Sequence, residues 1–169
     1  MPDAIMALAG WIGATAALGL VAALVLRGKV KWGWFAGALV LMAAYDALLT
    51  RGYGHIPIQF WPSDWNWEGK ALAIALSLTV ALILGARRTG LTLKQDRKGL
   101  PGALVLCGAL IAVFLALALW SPNAPINGDE LAFQLTMPGL DEELFYRGVL
   151  LLMFNEAFAR SWRILGAPV

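Results

Sequence analysis

The sequence predicts an all-α fold, a polytopic transmembrane helical bundle with about five helices present, and three observations carry that reading. Hydrophobic residues make up 60% of the 169-residue chain, charged residues only 14%, and mean hydropathy is +0.70, far from the soluble average. The apolar residues fall in blocks, not along one helical face, and each block approaches the roughly 20 residues an α-helix needs to cross a ~30 Å hydrocarbon core. The tryptophans other than Trp11 stand at block edges, where aromatic belts form.

The first block, Ala4–Leu26, is longer than the apolar part of a signal peptide and follows no basic segment, so it is expected to remain as a helix. Its spacing of small residues, "GWIGATAALG", favours close packing against a neighbour. The second block, Trp34–Thr50, carries Asp46 about one turn from its end. Two readings stay open there: local hydration with Arg51 in reach, or a hydrogen bond inside the bundle near the acidic motif described below. The connection "RGYGHIPIQFWPSDWNWEGK" is aromatic and broken by prolines, and is expected to lie along the membrane interface. It holds His55, the chain's single histidine, read as a loop residue at headgroup level.

The third block, Ala71–Ala86, is short and expected to tilt or to extend into its flanks. Ser77 and Thr79 in it, with Gln134 and Thr136 later, read as polar contacts between helices. "GLTLKQDRKG" suits either a basic segment on anionic lipid or a solvated loop. The fourth block, Leu100–Trp120, contains the lone Cys107, which excludes an intrachain disulfide and a cysteine-built metal site. A fifth helix falls within Leu131–Phe158.

Basic residues alternate between connections: Arg27, Lys29 and Lys31 after the first block, Arg51 and Lys70 after the second, then Arg87, Arg88, Lys94, Arg97 and Lys98, and none after the fourth. The positive-inside rule therefore sets the N-terminus outside and Arg160 and Arg163 inside. The lipid bilayer is the first partner. No phosphate-binding loop, dinucleotide fingerprint or haem motif is present, and nothing points to nucleic acid.

The chemistry-bearing stretch is "TMPGLDEELFYRGVLLLMF", Thr136 to Phe154. Pro138 and Gly139 are expected to interrupt any helix running from Asp129, with a new helix starting near Leu140, capped by Asp141 and favoured by Glu142 and Glu143 at its positive end. A start signal alone leaves Arg147 heading into the bilayer, where an unpaired charge costs at least ~2.5–3.5 kcal/mol on insertion scales. Glu143 precedes Arg147 by four residues, the favourable order for a helical ion pair. Glu142 is rotated about 100° away and shares its face with Tyr146. The spacing thus commits one carboxylate to a pair and leaves the other beside a phenol, free to take a proton from water.

"EELFYR", Glu142 to Arg147, matches the EExxxR signature of the CAAX-protease and bacteriocin-processing membrane family (CPBP, also called Abi), and "MPGLDEELFYRGVLL" resembles its bacterial members. The resemblance runs from Asp129 to Val169, dividing the chain into four N-terminal helices with loops (1–128) and the start of a CPBP-like domain (129–169). It implies an intramembrane endopeptidase hydrolysing a peptide bond in a membrane-associated peptide or protein. Glu142 would be the general base and Glu143 and Arg147 the supporting pair; apart from the resemblance, Tyr146 on the face of Glu142, and Asp46, are read as supporting residues. It also implies histidines from later FxxxH and HxxxN-like motifs. No histidine follows Arg147, so the chain is expected to be the N-terminal part of a longer bundle, inactive alone. No cofactor is named by these residues, and a divalent metal is left open. Two other readings stand beside this one: a membrane immunity or partner-binding protein in which Glu143 and Arg147 are a structural pair, and a transporter or channel with a proton path through Glu142 and Asp46. Positive-inside counting sets Glu142 toward the outer face, unless Asp129–Met137 dips into the membrane as a re-entrant piece.

Overall fold

The computed structural model describes residues 2–26, 30–92, 98–120, 127–158, 163–164 and 167–168. The expectations for Arg27 and Lys29, for Lys94 and Arg97 in the basic segment, for Arg160 and Trp162, and for residues 121–126 lie outside these.

The described residues are overwhelmingly helical: α1 (Pro2–Leu26), α2 (Trp32–Leu49), α3 (Trp67–Leu84), α4 (Leu100–Trp120), α5 (Gly128–Glu142), a π-helical stretch (Glu143–Leu150) and α6 (Leu151–Phe158). Ala4–Val25, Trp32–Leu49, Trp67–Leu84 and Leu100–Trp120 are each long and apolar enough to cross a membrane, the architecture of a multi-pass membrane protein. Arg163–Ile164 pairs antiparallel with Ala167–Pro168.

The third helix extends to Trp67 because Asn66 starts it. The Asn66 Oδ1 accepts the Gly69 N–H at 3.1 Å, while its Nδ2 donates to Leu49 O at 2.8 Å, tying the start of α3 to the end of α2. Glu68 in this first turn accepts the backbone N–H groups of Phe60 and Trp61, both at 3.0 Å, and so anchors the aromatic connection. Lys70, counted above with that connection, belongs instead to the first turns of α3.

Three expectations about the last block are overturned together. The helix begins at Gly128, capped by Asn127, whose side chain accepts the Glu130 N–H at 2.7 Å, and it continues through Pro138 and Gly139 to Phe158. There is no new start near Leu140, Asp141 is not a cap, and Asp129–Met137 is one limb of a continuous rod, not a re-entrant piece. Proline inside a helix removes one N–H and crowds the carbonyl four residues earlier. Here the rod persists across Pro138 because one face is held on either side of it, by Phe133 and Asp141 and then by Phe145, Val149 and Met153, and that packing outweighs the local cost.

The rod, residues 128–158, packs on α2 and α3, antiparallel to α2 (Tyr45 meets Asp141, Phe35 meets Phe158) and parallel to α3 (Trp67 meets Phe133, Lys70 meets Asp141). Small residues on those helices, Ala38, Ala73 and Ala81, receive Phe145, Val149, Leu150 and Met153 from the rod. Its two ends are pinned. At one end Asp129 accepts from Trp61 Nε1 (2.9 Å), Trp67 Nε1 (3.1 Å) and the Ser63 hydroxyl. At the other Glu156 pairs with Lys31 (3.0 Å) and Arg88 (2.8 Å), and the Lys31 N–H donates to Ala157 O. We call these the tryptophan end and the basic end.

The small-residue spacing of α1 is used at one point. A Cβ on Gly19 would run into the Phe35 ring of α2, whereas Gly10 and Gly13 face open space. Every residue of α4 is exposed, as is Cys107 within it. Ser77, Thr79 and Thr136 do not join helices: each hydroxyl bonds the carbonyl four residues back in its own helix.

Candidate functional site

The acidic motif sits where the rod changes winding. From Glu143 to Leu150 the hydrogen bonding is five residues apart, as in the Leu151 N–H donated to Tyr146 O. Such wide turns are rare and occur frequently at functional sites. Phe145 is fully buried and stacks on Tyr45 of α2 at 3.8 Å with an interplanar angle of 11°, which locks this part of the rod against α2.

The stretch distributes its charges in different directions. Asp141 points inward, with 0% exposure, and a single oxygen, Oδ2, accepts both the Tyr45 hydroxyl at 2.6 Å and the Lys70 ammonium at 2.7 Å. No protein donor reaches its Oδ1. Glu142, one residue on, is 59% exposed and lies 3.6 Å from the same Lys70 nitrogen. Glu143 and Arg147 form the expected ion pair at 3.1 Å, largely exposed, along a cleft of about 430 Å³ between the rod and the turn after α3. Tyr146 is half exposed and meets Tyr45 edge to face at 6.0 Å.

The structure therefore brings Glu142, Glu143, Arg147 and Tyr146 to one segment, with Glu142 outside the Glu143–Arg147 pair. It adds a group the sequence reading missed, the buried Tyr45–Asp141–Lys70 cluster. The available signal was the run of three acids: one of them, Asp141, falls on the apolar face of the rod with Phe145 and Val149, and a buried carboxylate requires partners.

Asp46 follows neither open reading: its partner is a residue of the connection after α2, not Arg51 and not the acidic motif. It accepts the Tyr53 hydroxyl at 2.8 Å, while Arg51 turns away and donates to Ile58 O at 3.0 Å. Residues Arg51 to Gly54 all have positive φ, between 51° and 88°, a left-handed turn that costs roughly 1–2 kcal/mol at each non-glycine position and brings Tyr53 back over α2. Desolvation, and then the hydrogen bond to Asp46, raise the ionisation of the Tyr53 phenol above its ordinary range. His55 is exposed in this turn. Asp129 at the tryptophan end is held below the ordinary carboxylate range, first by Ser63 and then by Trp61 and Trp67, against the opposing effect of burial. Among the described residues no three His, Cys, Asp or Glu side chains converge as a metal-binding group.

Compared with known proteins, the chain matches no family model, no curated protein and no solved structure.

Proposed function

We propose that this protein is an intramembrane endopeptidase of the CPBP type, in which Glu142 activates a water for attack on a peptide bond of a membrane-associated substrate. The observation that supports it most is the separation of two adjacent glutamates: Glu143 is paired with Arg147 at 3.1 Å, whereas Glu142 is exposed beside a cation, Lys70, at 3.6 Å. A carboxylate in that position accepts a proton from water, the resulting hydroxide adds to the scissile carbonyl, and the proton passes to the leaving amine as the C–N bond breaks. Lys70, anchored at 2.7 Å by buried Asp141, supplies positive charge next to the base. The setting is a bacterial plasma membrane with the N-terminus outside.

A second reading is favoured by a specific observation: beside Glu142 stand Lys70 and Tyr146, while the chain's one histidine, His55, lies exposed in the turn after α2. A hydrolase must also stabilise an oxyanion, and the histidine motifs that the CPBP resemblance implies have no counterpart among the described residues. In this reading the motif is a scaffold for partner binding, and Glu142 is dispensable.

The test is cleavage of a membrane-anchored peptide library by the protein in its natural reading frame, reconstituted in vesicles and read by mass spectrometry. The protease reading expects defined cleavage products that Glu142→Ala abolishes without loss of fold. No products from the wild type, or products that survive Glu142→Ala, favour the scaffold.

A further inference from the structure

A cleft of about 400 Å³ lies between α1, α2 and the rod, on the side where Tyr146 stands one turn after Glu142. Trp11, Met42, Asp46, Leu49, Phe145 and Tyr146 line it. Its volume is that of a small-ligand pocket, and its chemistry is lopsided. The walls are aliphatic and aromatic. The Trp11 ring is 72% exposed, and Tyr146 is half exposed. The carboxylate among the lining residues is Asp46, which among the described residues accepts one side-chain hydrogen bond, from a neutral phenol, Tyr53. Among the described residues no lysine, arginine or histidine lies within ion-pair distance of Asp46, and Arg51, five residues on, is committed to Ile58 O.

A carboxylate at the border of an apolar cleft attracts a cation, and exposed tryptophan and tyrosine faces add cation–π attraction. The neighbouring wall suits a flexible aliphatic stem. We propose that this cleft is a substrate subsite for a lysine or arginine side chain, its stem against Met42, Leu49 and Phe145 and its charged end at Asp46 between Trp11 and Tyr146. Resting on the protease reading, the inference names the substrate class: peptides with a basic residue near the bond presented to Glu142. Asp46 is then a specificity-determining residue.

The left-handed turn supports this assignment. It holds Tyr53 over Asp46, so the carboxylate is oriented by a hydrogen bond without being neutralised by a cation. Asp46→Asn keeps an acceptor for that phenol and removes the charge alone, which makes it a clean variant.

The experiment measures binding, not cleavage. The protein is reconstituted in phosphatidylcholine vesicles and titrated with fluorescein-labelled membrane-anchored peptides that carry lysine, norleucine or glutamate at one position, read by anisotropy. The expected result is binding of the lysine peptide at least about tenfold tighter than the norleucine peptide, with glutamate weaker than both. In Asp46→Asn the lysine preference falls to within about twofold, while Tyr53→Phe, which leaves the carboxylate charged, retains it. Equal binding of lysine and norleucine peptides by the wild type, or an unchanged preference in Asp46→Asn, overturns the inference. Repeating the titration with phosphatidylethanolamine in the vesicles separates the sources of the cation: a lysine preference abolished by that lipid makes the cleft a headgroup site and also overturns the peptide assignment. A lysine preference without cleavage of any peptide would sink the protease reading alone, whereas cleavage without a preference would sink only the subsite.

Discussion

Lys70→Met removes the ammonium from a carboxylate with no access to solvent, and the resulting loss is large. Asp141 is 0% exposed and keeps only the Tyr45 hydroxyl at 2.6 Å, while the Lys70 side chain is itself 15% exposed. Truncating one member of such a pair costs about 3–5 kcal/mol, because the other charge remains buried without compensation. The surviving hydrogen bond sets the expectation at about 3 kcal/mol, the low end of that range. Replacing both members behaves differently. No protein donor reaches Asp141 Oδ1, so the native pair is incompletely satisfied, and Lys70→Met/Asp141→Leu should return to within about 1 kcal/mol of the wild type. The coupling energy from the double-mutant cycle is then about 2 kcal/mol or more. Reversible unfolding in mixed micelles of increasing dodecyl sulfate fraction, followed by circular dichroism, measures all four proteins. A single variant within about 1 kcal/mol of the wild type, or a double variant worse than either single, would refute the argument that this cluster is a buried ion pair holding the rod to α2 and α3.

Gly19→Leu should separate α1 from α2, costing about 1–3 kcal/mol in the same unfolding assay, because its Cβ meets the Phe35 ring; Gly10→Ala and Gly13→Ala should change little. Arg147→Leu strands Glu143 on the rod and should cost about 2–3 kcal/mol in bilayers, against a few tenths if that face met water; a bilayer loss under 0.5 kcal/mol would place the pair outside the membrane. Asp129 has a lowered ionisation in the folded state, so its stabilising contribution is present above the unfolded carboxylate range and is lost as pH falls through the folded value. Tryptophan fluorescence between pH 6 and pH 2, about the range over which paired carboxylates titrate, should show an acid transition at the tryptophan end that Asp129→Asn removes; identical titrations in both proteins would contradict this.

Much of the helical layout was legible in the sequence because membrane spans announce themselves by length and hydropathy alone. The second and fourth blocks end within two residues of the helices found, and the third differs mainly at Asn66, whose capping role depends on Leu49 O across the bundle. The rod was misjudged at Pro138 because local propensity argues for a break, while the packing of Phe145, Val149 and Met153 into α2 and α3 is a property of the assembled bundle. The Glu143–Arg147 pair was readable, being four residues apart on one element. The Tyr45–Asp141–Lys70 cluster was not, since its members are 96 and 71 residues from Asp141 along the chain and nothing in hydropathy links them. Asp46 lay between these cases: its position was visible, but its partner depends on a left-handed turn at Arg51 and Tyr53 that residue type does not foretell.

The proposed division of labour between the two adjacent glutamates is tested most directly by single-turnover cleavage of a membrane-anchored peptide in H2(18)O, comparing wild type, Glu142→Gln and Glu143→Gln at matched folded fraction. The account predicts one 18O in the new carboxyl terminus of the wild-type product, no product from Glu142→Gln, and a reduced but measurable rate from Glu143→Gln, whose loss is one of support for Arg147. Product formation by Glu142→Gln at the wild-type rate would contradict it.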